Sequence, residues 1–280
     1  MRVTSSVVGL VAVLLWAGAA GASEESQLVE SINAYRSQPQ GCAGKASEEL
    51  PPLAADQRLA LPASGRVDLQ QALNAAGYPM LNVQSISLSG PRDAQSAMTA
   101  LRESFCQVVL DPQFVDVGVS RADRDWRIVL ARPLLSARQG DWQAEGQKLL
   151  QEINAARAQA RKCGSQSFGA AKALAWNATL GTVAETHSRS MANGNYFSHT
   201  DKDGRIPSDR AELAGYNGRQ IGENIAAGMD TPRRVVDGWL ASPGHCAILM
   251  NPQYSELGAA YALDPKSDAG IYWTAMFGQP

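Results

Sequence analysis

The feature that most constrains this chain is an approximate internal repeat that includes its cysteines. Residues 149–157 (LLQEINAAR) repeat residues 28–36 (LVESINAYR) at a distance of 121 residues, and Cys163 follows Cys42 at the same distance. Isolated short matches arise by chance, but here a helix-like segment and a cysteine keep one spacing without a gap. The chain is therefore expected to contain two related folding units.

A second block of the repeat matches at a distance of 140 residues. Cys246 corresponds there to Cys106, and residues 251–254 (NPQY) correspond to residues 111–114 (DPQF). The longer distance means that the first copy lacks 19 residues in its middle. Two copies are too few for a repeat array, so we predict two domains, of which the first is shortened and degenerate.

The repeat and the N-terminal composition set the predicted boundaries. A positive start, an apolar run and a small-x-small sequence ending at Ala22 predict a signal peptide at residues 1–22. The degenerate copy then covers 24–136, a polar linker covers 137–146, and the complete copy covers 147–280. No later stretch approaches the ~20 apolar residues of a membrane span. We therefore predict a periplasmic or secreted protein without a transmembrane segment in its mature form.

The four cysteines allow three pairings. Only Cys42–Cys106 with Cys163–Cys246 places one bridge inside each copy. Zinc thiolates are disfavoured because no two cysteines are closely spaced. Disulfides indicate an oxidising compartment, and the net charge of −2 gives no reason to expect a nucleic-acid partner.

Apolar spacing predicts the local structure of the second copy. A helix is expected over 147–160, a second from Asn177 toward the breakers at 193–195, and a third from Pro232 to a stop at 242–244. The apolar stretches that follow, 257–262 and 271–277, predict a β-hairpin. Helices combined with a mostly antiparallel sheet give an α+β fold.

All three histidines, His187, His199 and His245, lie in the second copy. The first copy has Phe105 at the place of His245, and its gap removes the region of His199. Glu223 is followed by small apolar residues, which indicates a carboxylate turned toward the interior, where it needs a partner.

Two imidazoles and one carboxylate permit three roles, and the sequence leaves all three open. They can bind a divalent metal, perform acid–base chemistry near neutral pH, or stabilise a core through hydrogen bonds. His187 sits at helical spacing from Met191 and is interpreted as a core residue. Glu256 is interpreted as a folding residue, because the first copy keeps an acid there, Asp116, without the histidines.

Four ordered motifs carry a family resemblance. They are residues 187–191 (HSRSM), 196–199 (YFSH), 222–228 (GENIAAG) and 239–246 (WLASPGHC). In this order they resemble the CAP superfamily, which groups cysteine-rich secretory proteins, venom antigens, plant pathogenesis-related proteins and bacterial SCP-like proteins. The resemblance covers about residues 145–280.

The resemblance implies a three-layer α-β-α sandwich with a central antiparallel sheet and an open cleft. It assigns His199 and His245 to the cleft histidines and Glu223, with Asn224 beside it, to the first cleft acid. The second acid of the family pattern is replaced by Ser242. What remains is a three-ligand set of His199, His245 and Glu223, for which zinc is the expected metal.

From these features we expect an exported, non-enzymatic binding protein. Its expected partner is a divalent cation, a small polar or lipid ligand, or an envelope component. The alternative is a metal- or histidine-dependent hydrolase of cell-envelope material. Adhesion to another protein through the first copy is a third hypothesis. The sequence carries no signal for the oligomeric state or the identity of the ligand.

Overall fold

The computed structural model describes residues 22–38, 41–46, 50–134 and 141–280. The predicted signal peptide, except Ala22, and the first part of the predicted linker lie outside the described residues. The chain forms an N-terminal half (residues 22–134) and a C-terminal half (residues 141–280), and each half combines helices with a four-stranded sheet. Within the described residues, no helix combines the length and the apolar composition needed to cross a bilayer.

The N-terminal half begins with a helix that Ser23 caps through its side chain. Its elements are, in chain order, α1 (Glu24–Arg36), β1 (Gly41–Cys42), β2 (Lys45–Ala46), β3 (Ala54–Ala55), a 3-10 turn (Gln57–Leu59), α2 (Leu69–Ala75), β4 (Met80–Ser89), α3 (Ala94–Ser104), α4 (Cys106–Val109), β5 (Asp116–Ala122) and β6 (Asp125–Pro133).

The C-terminal half has longer helices and the same succession of sheet strands. Its elements are α5 (Trp142–Arg157), β7 (Arg161–Cys163), β8 (Gln166–Phe168), β9 (Ala175–Trp176), α6 (Ala178–Gly194), α7 (Pro207–Leu213), β10 (Gln220–Ala227), α8 (Pro232–Ala241), α9 (Pro243–Met250), β11 (Glu256–Leu263) and β12 (Ile271–Gln279).

Two sequence predictions about these elements need correction. Helix α5 begins at Trp142, inside the segment predicted as a linker, because Gly146 packs against the backbone of β11 and anchors this turn to the sheet. The chain also does not pass directly from the stop at 242–244 into strands. Pro243 instead occupies the first turn of α9, where the missing N–H of proline is tolerated.

The sheet of the C-terminal half has the order β10-β12-β11-β9. β12 pairs antiparallel with both β10 and β11, whereas the short β9 is parallel to β11. Side chains alternate across the sheet: Ala259 joins the core with α5, α8 and α9, and Ala260 joins the core with α6. The result is the expected three-layer α-β-α arrangement.

The sheet of the N-terminal half has the equivalent order, β4-β6-β5-β3. The 17-residue helix α6 has no counterpart of similar length there, since a single 3-10 turn follows β3. The strands still approach the preceding element closely in both halves. A Cβ on Gly118 would lie 2.3 Å from the carbonyl carbon of Leu59, and one on Gly258 would lie 2.0 Å from the nitrogen of Gly181.

A fully buried arginine in each half binds backbone carbonyls of distant segments. Arg36 donates from Nε to Pro51 (3.1 Å) and from its Nη atoms to Val109 (2.6 Å), Asp111 (3.2 Å) and Phe114 (3.2 Å). Charged donors stabilise carbonyls that would otherwise be buried without partners.

Arg157 makes the corresponding contacts in the C-terminal half. It donates to the carbonyls of Lys172 (2.9 Å), Leu249 (2.6 Å), Asn251 (2.9 Å) and Tyr254 (3.2 Å). Each partner lies at the distance that the sequence repeat predicts. The common origin of the two halves stays a prediction, which these matching contacts support.

Both predicted disulfides are present. Cys42 bonds to Cys106 and Cys163 to Cys246, and no free cysteine remains among the described residues. Each bridge ties the segment after the first helix of its half to a helix that precedes the final hairpin. The second bridge fixes the start of α9, where His245 lies.

Candidate binding site

Glu223 is the buried centre of the site. It lies on β10, its side chain is 1% exposed, and both carboxylate oxygens have partners. Oε1 lies 2.7 Å from Nδ1 of His199, and Oε2 accepts a 2.6 Å bond from Arg210 Nη2. The carboxylate turned toward the interior that the sequence predicted is therefore compensated by a guanidinium, as a buried charge requires.

Arg210 is a site residue that the sequence analysis missed. It lies on α7 and is 7% exposed at its side chain, and its Nη1 also donates 2.8 Å bonds to the carbonyls of His199 and Arg205. An arginine that holds both the acid and the backbone of the histidine fixes the geometry between them. Nothing in the spacing of Arg210 relative to Glu223 indicates this contact, because α7 and β10 meet only in the folded chain.

His199 occupies the loop between α6 and α7. The loop leaves α6 at Asn195, whose left-handed backbone (φ 47°) ends the helix. The side chain of His199 is 40% exposed, so one ring edge meets Glu223 while the ring also reaches the surface. This is the arrangement of an imidazole oriented by a buried acid.

His245 lies in the first turn of α9. Its Nδ1 is 2.9 Å from Ser242 Oγ, and its carbonyl accepts a 3.0 Å bond from Asn224 Nδ2. Burial, and to a lesser extent the neighbouring His199, lower the pKa of His245 to about 4. His245 is therefore neutral at pH 7, and Ser242, which stands where the family pattern has an acid, serves as its hydrogen-bond partner.

His187 lies behind this site on α6. Its Nε2 is 2.9 Å from the carbonyl of Ser198, and burial lowers its pKa. Nδ1 is buried and has no hydrogen-bond partner among the described residues. His187 thus contacts the backbone next to His199 from the interior.

Glu256 lies apart from the histidines. Its Oε2 accepts bonds from Asn177 Nδ2 (3.0 Å) and Tyr216 Oη (2.9 Å). In the N-terminal half, Asp116 likewise accepts a 2.6 Å bond from a tyrosine, Tyr78. These contacts tie strand starts to neighbouring segments and involve none of the cavity residues.

The two imidazoles open onto one cavity of about 990 Å³. His199, Ser242 and His245 line it, together with Phe197 and Leu240 of the C-terminal half. Its other side is formed by residues of the N-terminal half. The volume lies at the upper end of the range for small-molecule sites, ~300–1,000 Å³.

The three-ligand zinc site predicted from sequence does not fit this arrangement. Both oxygens of Glu223 and Nδ1 of His245 are already paired within the protein. Across the part of the chain that the structure describes, no three His, Cys, Asp or Glu side chains form a group able to hold a metal ion. A guanidinium on the only acid of the set also opposes a second cation there.

Comparisons with known proteins agree with the C-terminal fold. Residues 150–277 match the model of the cysteine-rich secretory protein family, CAP. The chain is 34% identical over 106 residues to the uncharacterized protein YkwD of Bacillus subtilis, covering 38% of this chain and 39% of YkwD. It is 41% identical over 85 residues to the uncharacterized membrane protein YlbC of the same organism, covering 30% of this chain and 25% of YlbC. The matches thus span two fifths or less of these relatives.

A solved structure of similar type is an extracellular protein containing an SCP domain from Bacillus anthracis. It is 18% identical, the alignment covers 75% of this chain and 71% of that chain, and the TM-score is 0.45.

Proposed function

We propose that this chain, whose residues 150–277 match the CAP family model, is an exported, non-enzymatic binding protein that takes a small polar ligand in the cavity at His199 and His245. The observation that carries the proposal is the engagement of Glu223 by Arg210 and His199. Because both oxygens of the buried acid are hydrogen-bonded within the protein, the two imidazoles are the groups left to form hydrogen bonds with a ligand in the cavity.

The protonation of His245 supports binding over catalysis. With its pKa lowered to about 4, its imidazole is uncharged at neutral pH and too weakly basic for general-base catalysis, which is most efficient when the pKa lies near the working pH. A neutral imidazole held by Ser242 presents a fixed hydrogen-bonding edge. Such preorganised polar groups give ligand sites their specificity.

Export is part of the proposal. Two disulfides are stable in oxidising compartments, and residues 1–22 have the composition of a signal peptide. We expect a mature N-terminus at Ser23 in protein recovered from the periplasm or the medium, and association with envelope material. N-terminal sequencing of both fractions tests the cleavage, and an intact N-terminus in both would contradict it.

The binding proposal can be tested by NMR, since the chain has only three histidines. Their ring signals are followed while N-acetylglucosamine, glutamate, dialanine, decanoate or Zn²⁺ is titrated into the full mature protein. A ligand in the cavity should shift the signals of His199 and His245 together and leave that of buried His187 in place. If none of the organic probes moves the pair, the proposal of a polar-ligand site at these histidines fails.

Zinc provides the comparison with the metal hypothesis. We expect the same weak heats on calorimetric titration of zinc into the wild-type protein and into the His199→Ala and His245→Ala variants, because Glu223 is paired with Arg210. Tight zinc binding that both substitutions abolish would restore the metal site and overturn the polar-ligand proposal.

A hydrolase is the second candidate, and one contact favours it. The bond between His199 Nδ1 and Glu223 Oε1 (2.7 Å) orients the ring as acid–imidazole pairs do in general-base catalysis. In such a role His199 would remove a proton from a water molecule that attacks an amide or ester of envelope material.

The hydrolase is tested with purified protein on peptidoglycan, peptides and esters. Product formation that His199→Gln abolishes and Glu185→Gln, a change away from the cavity on α6, leaves intact would favour the enzyme. Absence of products under conditions where the NMR titration detects a ligand would favour the binding protein.

A further inference from the structure

The cavity at the histidines is bounded by both halves of the chain. Residues of α1 and its C-cap, Ser37, line the side opposite His199 and His245. Those within α1 recur at helical spacing: Glu30, Ser31, Asn33 and Ala34. The opposite face of α1, with Leu28 and Ile32, is fully buried in the core of its own half. Helix α1 therefore presents a single face of short and polar side chains to the cavity.

A buried ion pair fixes the position of the N-terminal half against the C-terminal half. Arg234 of α8 donates to Asp116 Oδ1 of β5, whose side chain is fully buried, and Arg234 also lies 3.8 Å from Asp56. The other oxygen of Asp116 accepts the bond from Tyr78. The acid that corresponds to Glu256 is thus used here for a contact between the halves.

Apolar packing reinforces this contact. Val115 is buried in a cluster with Met191, Ile225 and Tyr272 of the C-terminal half. Gly228 has a positive φ of 77°, and a Cβ there would lie 2.0 Å from Val115 Cγ1, so the two halves approach as closely as a glycine allows. The interface has the complementarity of a core, which makes a fixed relative position the expected state.

We infer that α1 is a fixed second wall of the binding site, so that the N-terminal half, through Ala34 and its neighbours on this face, sets the size of molecule that reaches His199 and His245. The N-terminal half, which has no histidine, contributes this helix to the site of the other half. The inference concerns the shape of the cavity and holds whether the occupant is bound or hydrolysed.

The test uses diethyl pyrocarbonate, which acylates neutral imidazole. The rate at which it modifies each histidine of the full mature protein is measured by peptide mass spectrometry. Ala34→Trp should slow the modification of His199 and His245 several-fold, since the indole enters the cavity from the α1 side. Gln27→Trp, two helical turns away on the same face of α1 and outside the cavity lining, is the matched control and should leave both rates unchanged.

The ion pair between the halves is tested with the same readout. Arg234→Ala should speed the modification of both cavity histidines about tenfold or more, because removing one partner of a buried ion pair is strongly destabilising. Arg233→Ala, whose exposed side chain pairs with Asp237, is its control. His187 reports on folding: it should stay unmodified in every variant that keeps its fold.

Unchanged rates at His199 and His245 in Ala34→Trp, with His187 still protected, would overturn the inference that α1 is a wall. Equal rates in Arg234→Ala and Arg233→Ala would overturn the role of the ion pair in holding it. Modification by this reagent does not require a ligand. The test of the α1 wall therefore remains valid even if the protein binds none of the NMR probes.

Discussion

Replacing Glu223 by glutamine separates a structural role from a purely functional one. The substitution keeps the shape of the side chain but removes its charge, and Arg210, with 7% of its side chain exposed, loses its buried anionic partner. Breaking a buried ion pair from one side costs about 3–5 kcal/mol, because the remaining charge is left desolvated. The amide can still bond to His199, so we expect the lower end of this range.

A loss of about 3 kcal/mol corresponds to a fall in Tm of roughly 10 °C for a domain of this size. Urea denaturation followed by tryptophan fluorescence measures the free energy of unfolding directly. Because the uncompensated guanidinium causes the loss, Glu223→Gln combined with Arg210→Met should be less destabilising than the sum of the two single changes.

Glu185→Gln serves as the control, since Glu185 pairs with the exposed Arg189 one helical turn away on α6. A surface pair of this kind contributes about 1 kcal/mol or less. A Glu223→Gln variant as stable as the Glu185→Gln control, or an additive double variant, would refute the reasoning that Arg210 and Glu223 stabilise the site as an ion pair.

Three further changes follow from the structure. Burial lowers the folded-state pKa of His245 to about 4, so between pH 6.5 and 4 the unfolded chain binds a proton that the folded chain excludes. The free energy of unfolding should therefore fall by about 3 kcal/mol as the pH drops through this window. In urea denaturation measured over a series of pH values, His245→Phe should remove this pH dependence. Replacing Cys163 and Cys246 together by alanine opens a loop of 83 residues and should lower the free energy of unfolding by about 4 kcal/mol. A change of less than ~1 kcal/mol would contradict the explanation by loop entropy. Gly258→Ala would bring a Cβ to within 2.0 Å of the α6 backbone and should cost ~1–3 kcal/mol in thermal unfolding, while Gly244→Ala, with open space around it, should stay near wild type.

The elements that the sequence predicted correctly are those whose cause is local. Asn177 caps α6 and Thr231 caps α8 through their own side chains. The hairpin of β11 and β12 follows from two continuous apolar stretches separated by a turn. The disulfides were predictable because the repeat reduced three pairings to one that respects both copies.

The elements that were missed depend on contacts between distant segments. Helix α9 was hidden because Ser-Pro-Gly resembles a stop signal, although Pro243 is equally suited to a first turn. Arg210 carries no sequence signal, since its contact with Glu223 joins an unpredicted helix to an unpredicted strand. The zinc prediction counted donor atoms and could not include the guanidinium of Arg210, which reaches the carboxylate only in the folded chain. Zinc binding itself stays a prediction, which the titration tests.

The paired arginine contacts differ in how much of the chain must be synthesised before they can form. The guanidinium of Arg36 can complete its contacts once the chain as far as Phe114 has been made, whereas Arg157 must wait for Tyr254. Because synthesis runs from the N-terminus, the contact partners of Arg36 are all present in the chain before those of Arg157. We therefore expect the N-terminal half to fold first and to offer the C-terminal half a surface on which to pack.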